Sequence, residues 1–209
     1  MKRLLLPFIL LLLCGCSQEV SPVSALALDR TEDGYRLTAE LVRQDSLDEP
    51  AAPSYLSAAG RDLPALLRGI ENLLPGELYL SHAQVLLLSE EVAQDSILAL
   101  ADYLCQHNDV RLSLRVAVVR EGAADELMKA SGEVFALSEL LDRSASAGTL
   151  PDMPLYRTAE ALHADGTAIL PALRVDAFGQ TAPAGTAVFA RERLSCFLDG
   201  SEIGGGSHA

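Results

Sequence analysis

Tryptophan is absent, and aromatic residues are limited to five phenylalanines and five tyrosines in 209 residues. A core this poor in aromatic volume must be built from Leu, Val, Ile and Ala, which the hydrophobic fraction of 49% supplies. Lysine is nearly absent, occurring only as Lys2 and Lys129, so arginine carries most of the positive charge. The formal net charge is -13. Such a surface repels phosphate backbones, which excludes nucleic acid as a partner, and it repels anionic lipid headgroups too. No apolar run reaches the roughly 20 residues that a membrane-spanning helix needs. Charged residues at 22% alongside the apolar half describe a folded chain, long enough for one substantial core or two small ones.

Chemical motifs are missing as well. There is no GxSxG nucleophile elbow, no HExxH and no CxxC. The glycines at 204–206 lack the lysine and the strand-to-helix junction of a phosphate loop. Ser81 and His82 are adjacent; on the strand expected there they point to opposite faces and cannot work together. His82 is expected to fix local structure by hydrogen bonding. Glu90-Glu91 and Asp125-Glu126 fall in expected first helical turns, where capping and the helix dipole account for them. His107 and His163 fall near helix C-termini, and His208 in the tail. The chain is therefore expected not to be an enzyme, with no catalytic residue, cofactor or metal ligand.

What is present begins at the N-terminus. Met1-Lys2-Arg3 is a basic head, Leu4 to Leu13 is a short apolar run interrupted by Pro7, and Leu13-Cys14-Gly15-Cys16 follows. This is a signal-peptide layout, and its last four residues resemble the lipobox of bacterial lipoproteins. The resemblance implies cleavage before Cys16 and attachment of lipid (diacylglycerol and palmitate) to that residue. Two acyl chains or more anchor stably where one does not. Residues 1–15 are then discarded, and loss of Lys2 and Arg3 takes the charge from -13 to about -15. Export permits a disulfide between Cys105 and Cys196. The first lies on an expected helix and the second in an expected strand, so two separate buried thiols are favoured, with a bridge left open.

Residues 16–24 read as a tether, and 25–203 as one α+β (mixed α/β) domain, a mixed sheet flanked by helices. Asp33-Gly34 is a hairpin turn signal between strands over 25–29 and 35–42. In the second arm Tyr35, Leu37, Ala39 and Leu41 alternate with Arg36, Thr38 and Glu40, which predicts one wet face. Residues 44–59, polar and containing proline, read as a loop. Asp62 caps a helix whose stripe is Leu63, Leu66, Leu67, Ile70, Leu73 and Leu74. Residues 78–80 and 83–88 read as strand, Ser89 caps a helix burying Val92, Ile97, Leu100 and Leu104, and 111–119 is a central strand. Helices follow over 124–130, 133–143 and 155–163, the last stopped at Asp165-Gly166, then strands over 168–175, 185–190 and 194–197. Small residues and prolines at 144–154 mark a possible subdomain boundary, and 204–209 read as a flexible tail.

The order of these segments resembles the Ger(x)C spore germination lipoproteins, the C subunits of GerA-type nutrient germinant receptors. Leu26-Ala27-Leu28-Asp29 with Asp33-Gly34-Tyr35 resembles their paired first strands. The segment from Gly60-Arg61-Asp62-Leu63 resembles their first helix. Ser81-His82-Ala83-Gln84-Val85 is similar to their Ser-His-x-Gln-Val entry, the most specific of the matches. Asp109-Val110-Arg111-Leu112, Gly185-Thr186-Ala187-Val188-Phe189 and Leu198-Asp199-Gly200 are similar to later strands. The resemblance implies the N-terminal domain of such a subunit, in a short form without the C-terminal domain. It implies a germination function, integral-membrane receptor subunits of A and B type as partners, and lipid anchorage outside the spore inner membrane. The alternative is a stand-alone extracytoplasmic lipoprotein that binds a solute.

Overall fold

A computed structural model describes residues 20–43 and 51–199. Strand β1 (Val20–Thr31) turns through Glu32-Asp33 into β2 (Gly34–Arg43), with Thr31 paired to Gly34. The hairpin is where the sequence puts it, but Gly34 opens the second strand rather than occupying the loop. A Cβ there would sit 2.5 Å from the Gly60 carbonyl oxygen, and φ is +152°. Residues 20–24, read as part of the tether, lie within β1.

The expected loop is instead partly strand. β3 (Ala52–Gly60) pairs antiparallel with β2 along its whole length and forms one edge of the sheet. Pro53 is tolerated because an edge strand has one side with no ladder to complete. Asp62 then accepts a hydrogen bond from the Ala65 amide at 2.8 Å and starts α1 (Leu63–Glu71), which buries Leu66, Leu67 and Ile70. Leu73 falls beyond the helix end and is exposed.

β4 (Glu77–Tyr79) is short and pairs parallel with residues 20–22, a 3-10 turn covers Leu80–His82, and β5 (Val85–Ser89) pairs parallel with residues 25–28 of β1. Ser89 caps α2 (Glu90–Ala93) as expected. That helix lasts one turn, and a bend at residues 94–97 separates it from α3 (Leu98–Gln106). β6 (Arg115–Val119) is the central strand, shorter than expected; Arg111 to Leu114 form a turn that leaves Leu112 exposed. α4 (Ala124–Ala130), α5 (Ala136–Ser146) and α6 (Leu155–Asp165) follow, the last ended by Gly166 with left-handed backbone. The described residues end with β7 (Ala168–Val175), β8 (Thr181–Ala190) and β9 (Arg193–Leu198).

Among the described residues the result is an α+β fold on one nine-stranded mixed sheet, ordered β3-β2-β1-β5-β6-β7-β8-β9 with β4 beside β1. The four strands β1, β5, β6 and β7 run parallel, and an antiparallel ribbon flanks them on each side. Both faces are covered. Leu26, Leu28, Leu86, Leu88, Val116 and Val118 meet α1, α2, α3 and α6 on one side. Ala25, Ala27, Val85, Leu87, Ala117 and Val119 meet α4 and α5 on the other. Burial on two faces explains the unbroken apolar runs in these strands.

Of the expected wet face of β2 Arg36 is exposed, but the rest is dry. Thr38 and Glu40 are buried. The Thr38 and Ser57 hydroxyls lie 2.8 Å apart, and the Ser24 hydroxyl donates to the Glu40 carboxylate at 2.6 Å. Alternation marked the polar face, but at Thr38 and one oxygen of Glu40 polar neighbours on β1 and β3 stand in for water.

Candidate functional site

Because the central strands are parallel, their carboxyl ends lie side by side. Leu28 of β1 is level with Leu88 of β5 and Val118 of β6. Ligands of open α/β sheets gather at this end. Here the bend at residues 94–97 and the first turn of α1 wall a half-open cleft of about 280 Å³. Its floor is Leu28, Leu66 and Val92, with Ile97 and Leu100 on one wall and Leu63 with Pro64 on the other.

The polar groups lie at the rim. Asp95 pairs with Arg30, and its Oδ2 accepts from the Tyr35 hydroxyl at 3.1 Å. Arg30 also donates to the Tyr35 hydroxyl at 2.9 Å and lies over its ring. Burial, then the hydrogen bond and charge of Asp95, push the Tyr35 phenol up, so it stays protonated. Asp62 faces the cleft from the other wall, and Asp62 and Asp95 are the two charged residues of the lining. The bend is pinned from behind by Ile97, whose amide donates to the Glu192 carbonyl at 3.0 Å, and by the Ser96 hydroxyl on the Glu192 carboxylate at 2.6 Å. An apolar floor with a few oriented polar groups at the mouth is the general form of a small-molecule site, near the lower end of its size range.

The residues weighed in the sequence are not brought together there. Ser81 and His82 sit on the 3-10 turn and not on a strand. The Ser81 hydroxyl is buried without a partner among the described residues, while His82 is exposed and meets the Tyr79 ring at 5.3 Å. His163 pairs with Asp102 at 2.7 Å on the outside of the helices. Glu90 and Glu91 do occupy the first turn of α2, and Asp125 that of α4, where it holds Lys129 at 2.6 Å. Among the described residues no group of His, Cys, Asp or Glu could hold a metal. Cys105 and Cys196 are both free thiols; Cys105 is half-buried, but Cys196 is exposed on the edge strand rather than buried. Cys16, the expected leader over 1–15, residues 17–19 and the expected tail over 204–209 lie outside the described residues. Among the described residues no helix is long and apolar enough to cross a membrane.

Two buried carboxylates escaped the sequence reading. Asp29, at the end of the parallel run of β1, accepts from the amides of Ala124 at 2.6 Å and Asp125 at 3.0 Å, capping α4 from a distant strand. Burial raises its pKa against those two hydrogen bonds, which lower it. Glu40 is raised by burial too, against the hydroxyls of Ser24 and Tyr55, and its Oε2 has no partner among the described residues. Beside it the Tyr55 phenol is pushed up to about 12 by burial and by the Glu40 charge. No local pattern marks either residue, since the partners are brought by the sheet.

Comparison with known proteins gives one result. The family described as the spore germination protein N-terminal domain matches residues 17–175. No curated protein and no solved structure matches the chain.

Proposed function

Since the chain belongs to the spore germination protein N-terminal domain family and so has its role in germination, we propose that it is the membrane-anchored lipoprotein subunit of a nutrient germinant receptor. In this reading Cys16 carries the lipid, residues 1–15 are removed, and the domain works by contact with integral-membrane subunits rather than by catalysis. The family match is the observation that carries the proposal. The Leu13-Cys14-Gly15-Cys16 segment supports the anchor. Confinement to the bilayer surface raises the effective concentration of weak partners without strong pairwise contacts. The test has two readouts. Mass spectrometry of the mature N-terminus finds a lipidated Cys16, and affinity capture from detergent-solubilised sporulating cells recovers a multi-span membrane protein. An uncut leader, or capture without any integral-membrane partner, refutes it.

The cleft supports a second reading, a stand-alone lipoprotein that captures a small solute with an apolar body. A bound solute raises the melting temperature by mass action, by about 2.7 kcal/mol of stability at a hundredfold excess over Kd. The stabilisation disappears in Leu100→Trp, which fills the wall. Solutes that stabilise both proteins alike, or neither, dispose of this reading.

A further inference from the structure

The amino end of the parallel strands differs from the rest of the surface. There β4 pairs with residues 20–22, so Tyr79 lies beside the start of β1. The turn before β6 is at the same end, since Arg115 is level with Val85 and Val85 with Ala25. That turn carries Leu112, half exposed at 50%, and its carbonyl accepts the amide of Tyr156 at 3.2 Å. Leu73, between α1 and β4, is exposed as well, as are Tyr79 and Tyr156. Two leucines and two tyrosines thus stand uncovered at the end where β1 begins.

From this we infer that the amino end of the sheet rests on the lipid bilayer, with Tyr79, Leu112 and Tyr156 in the headgroup region. The inference rests on the anchor at Cys16 proposed above. Four residue steps separate Cys16 from Val20, and an extended chain covers at most about 14 Å over that length. A tether so short cannot hold the domain clear of the membrane. The surface that faces the headgroups at that distance is the one carrying the exposed leucines and tyrosines. Tyrosine suits this place, with a ring for the acyl boundary and a hydroxyl for water. The net charge, -13 for the whole chain and about -15 without Lys2 and Arg3, makes the fitting surface zwitterionic and not anionic. A weak apolar contact beside a lipid anchor adds orientation, because the anchor has already supplied the proximity. The cleft, at the carboxyl end, then opens away from the bilayer.

The absence of native tryptophan makes the test direct. Full-length protein, expressed with its leader so that Cys16 is processed, is reconstituted into phosphatidylcholine vesicles with or without brominated acyl chains. Single variants Tyr79→Trp and Tyr156→Trp report the amino end. Phe178→Trp is the control: Phe178 is 88% exposed in the turn after β7, which extends past the carboxyl end of β6. The expected result is a blue shift and loss of most emission in brominated vesicles for Tyr79→Trp and Tyr156→Trp, with Phe178→Trp unaffected. Equal or absent quenching in protein that floats with the vesicles overturns the orientation and leaves the anchor standing. Protein that does not float overturns the anchor and the orientation with it.

Discussion

Replacing Asp29 by alanine tests how α4 is joined to the sheet. Ala123, at the N-cap position of α4, makes no side-chain hydrogen bond. The cap comes instead from the Asp29 carboxylate, which is 5% exposed and takes both the Ala124 and Asp125 amides. Alanine leaves two buried donors without partners, at about 1–3 kcal/mol each. Against this, it removes a buried charge and its repulsion from Asp125. The net expected loss is about 2–4 kcal/mol, a large part of the 5–15 kcal/mol typical of a domain. Asparagine keeps one oxygen and sheds the charge, so Asp29→Asn should cost about 1 kcal/mol. Urea unfolding with unchanged m-values gives both numbers. Hydrogen exchange adds the location, with faster exchange at Ala124 and Asp125 in the alanine variant. Burial raises the Asp29 pKa, so its contribution is greatest below the ordinary carboxylate range and is lost as pH rises through the folded value. Wild type should therefore gain on Asp29→Asn as pH falls through that window. An alanine variant no less stable than the asparagine one, or unchanged exchange at residues 124 and 125, refutes the clamp.

Glu40→Gln should stabilise the protein by about 1 kcal/mol at pH 8, because it removes a buried charge with an unpaired oxygen. The raised Glu40 pKa gives wild type extra stability in acid that fades as pH rises through the folded value, so the stabilities of the two proteins should converge as pH falls below the ordinary glutamate range. Arg191, in the turn between β8 and β9, has φ of 53° and an exposed side chain. Arg191→Asn, better suited to left-handed backbone, should gain about 0.5–1 kcal/mol in thermal or urea unfolding. Gly185 has φ of 88°, and a Cβ there would lie 2.1 Å from the Leu198 carbonyl oxygen. Gly185→Ala should cost about 3 kcal/mol or more and loosen β9 first, seen as early exchange at residues 193–198.

Local chemistry made much of this fold legible. Asp62, Ser89 and Gly166 stop and start helices through contacts within four residues, and each signal was readable on the chain. The central strands were readable because burial on two faces leaves an apolar run that no other element fits. β3 was not, since its strand character comes from pairing with β2 while its own residues are polar and include Pro53. The dry side of β2, the Asp29 cap and the break at residues 94–97 share that cause. Their partners are Ser24 and Ser57, Ala124 and Asp125, and Glu192, all supplied by tertiary structure. Periodicity likewise assigned Leu73 and Leu112 to a core that both lie outside. Cys16, the residue proposed to carry lipid, rests on a signal of another kind, a short resemblance in the chain that is independent of the fold. The cleft was invisible for a further reason: its walls come from the starts of α1 and α3, and nothing in either segment announces the other.

The order in which strands appear also shapes how this domain is made. β1 is synthesised well before its parallel partner β5, which lies about sixty residues behind it, Ala25 joining Val85. β2 can close on β1 at once through the two-residue turn, whereas the other edge must wait. Pairings of such separation form slowly, and an unmatched edge invites other chains meanwhile. A nascent hairpin with Leu26 and Leu28 uncovered is therefore the stage at which a holdase would matter most.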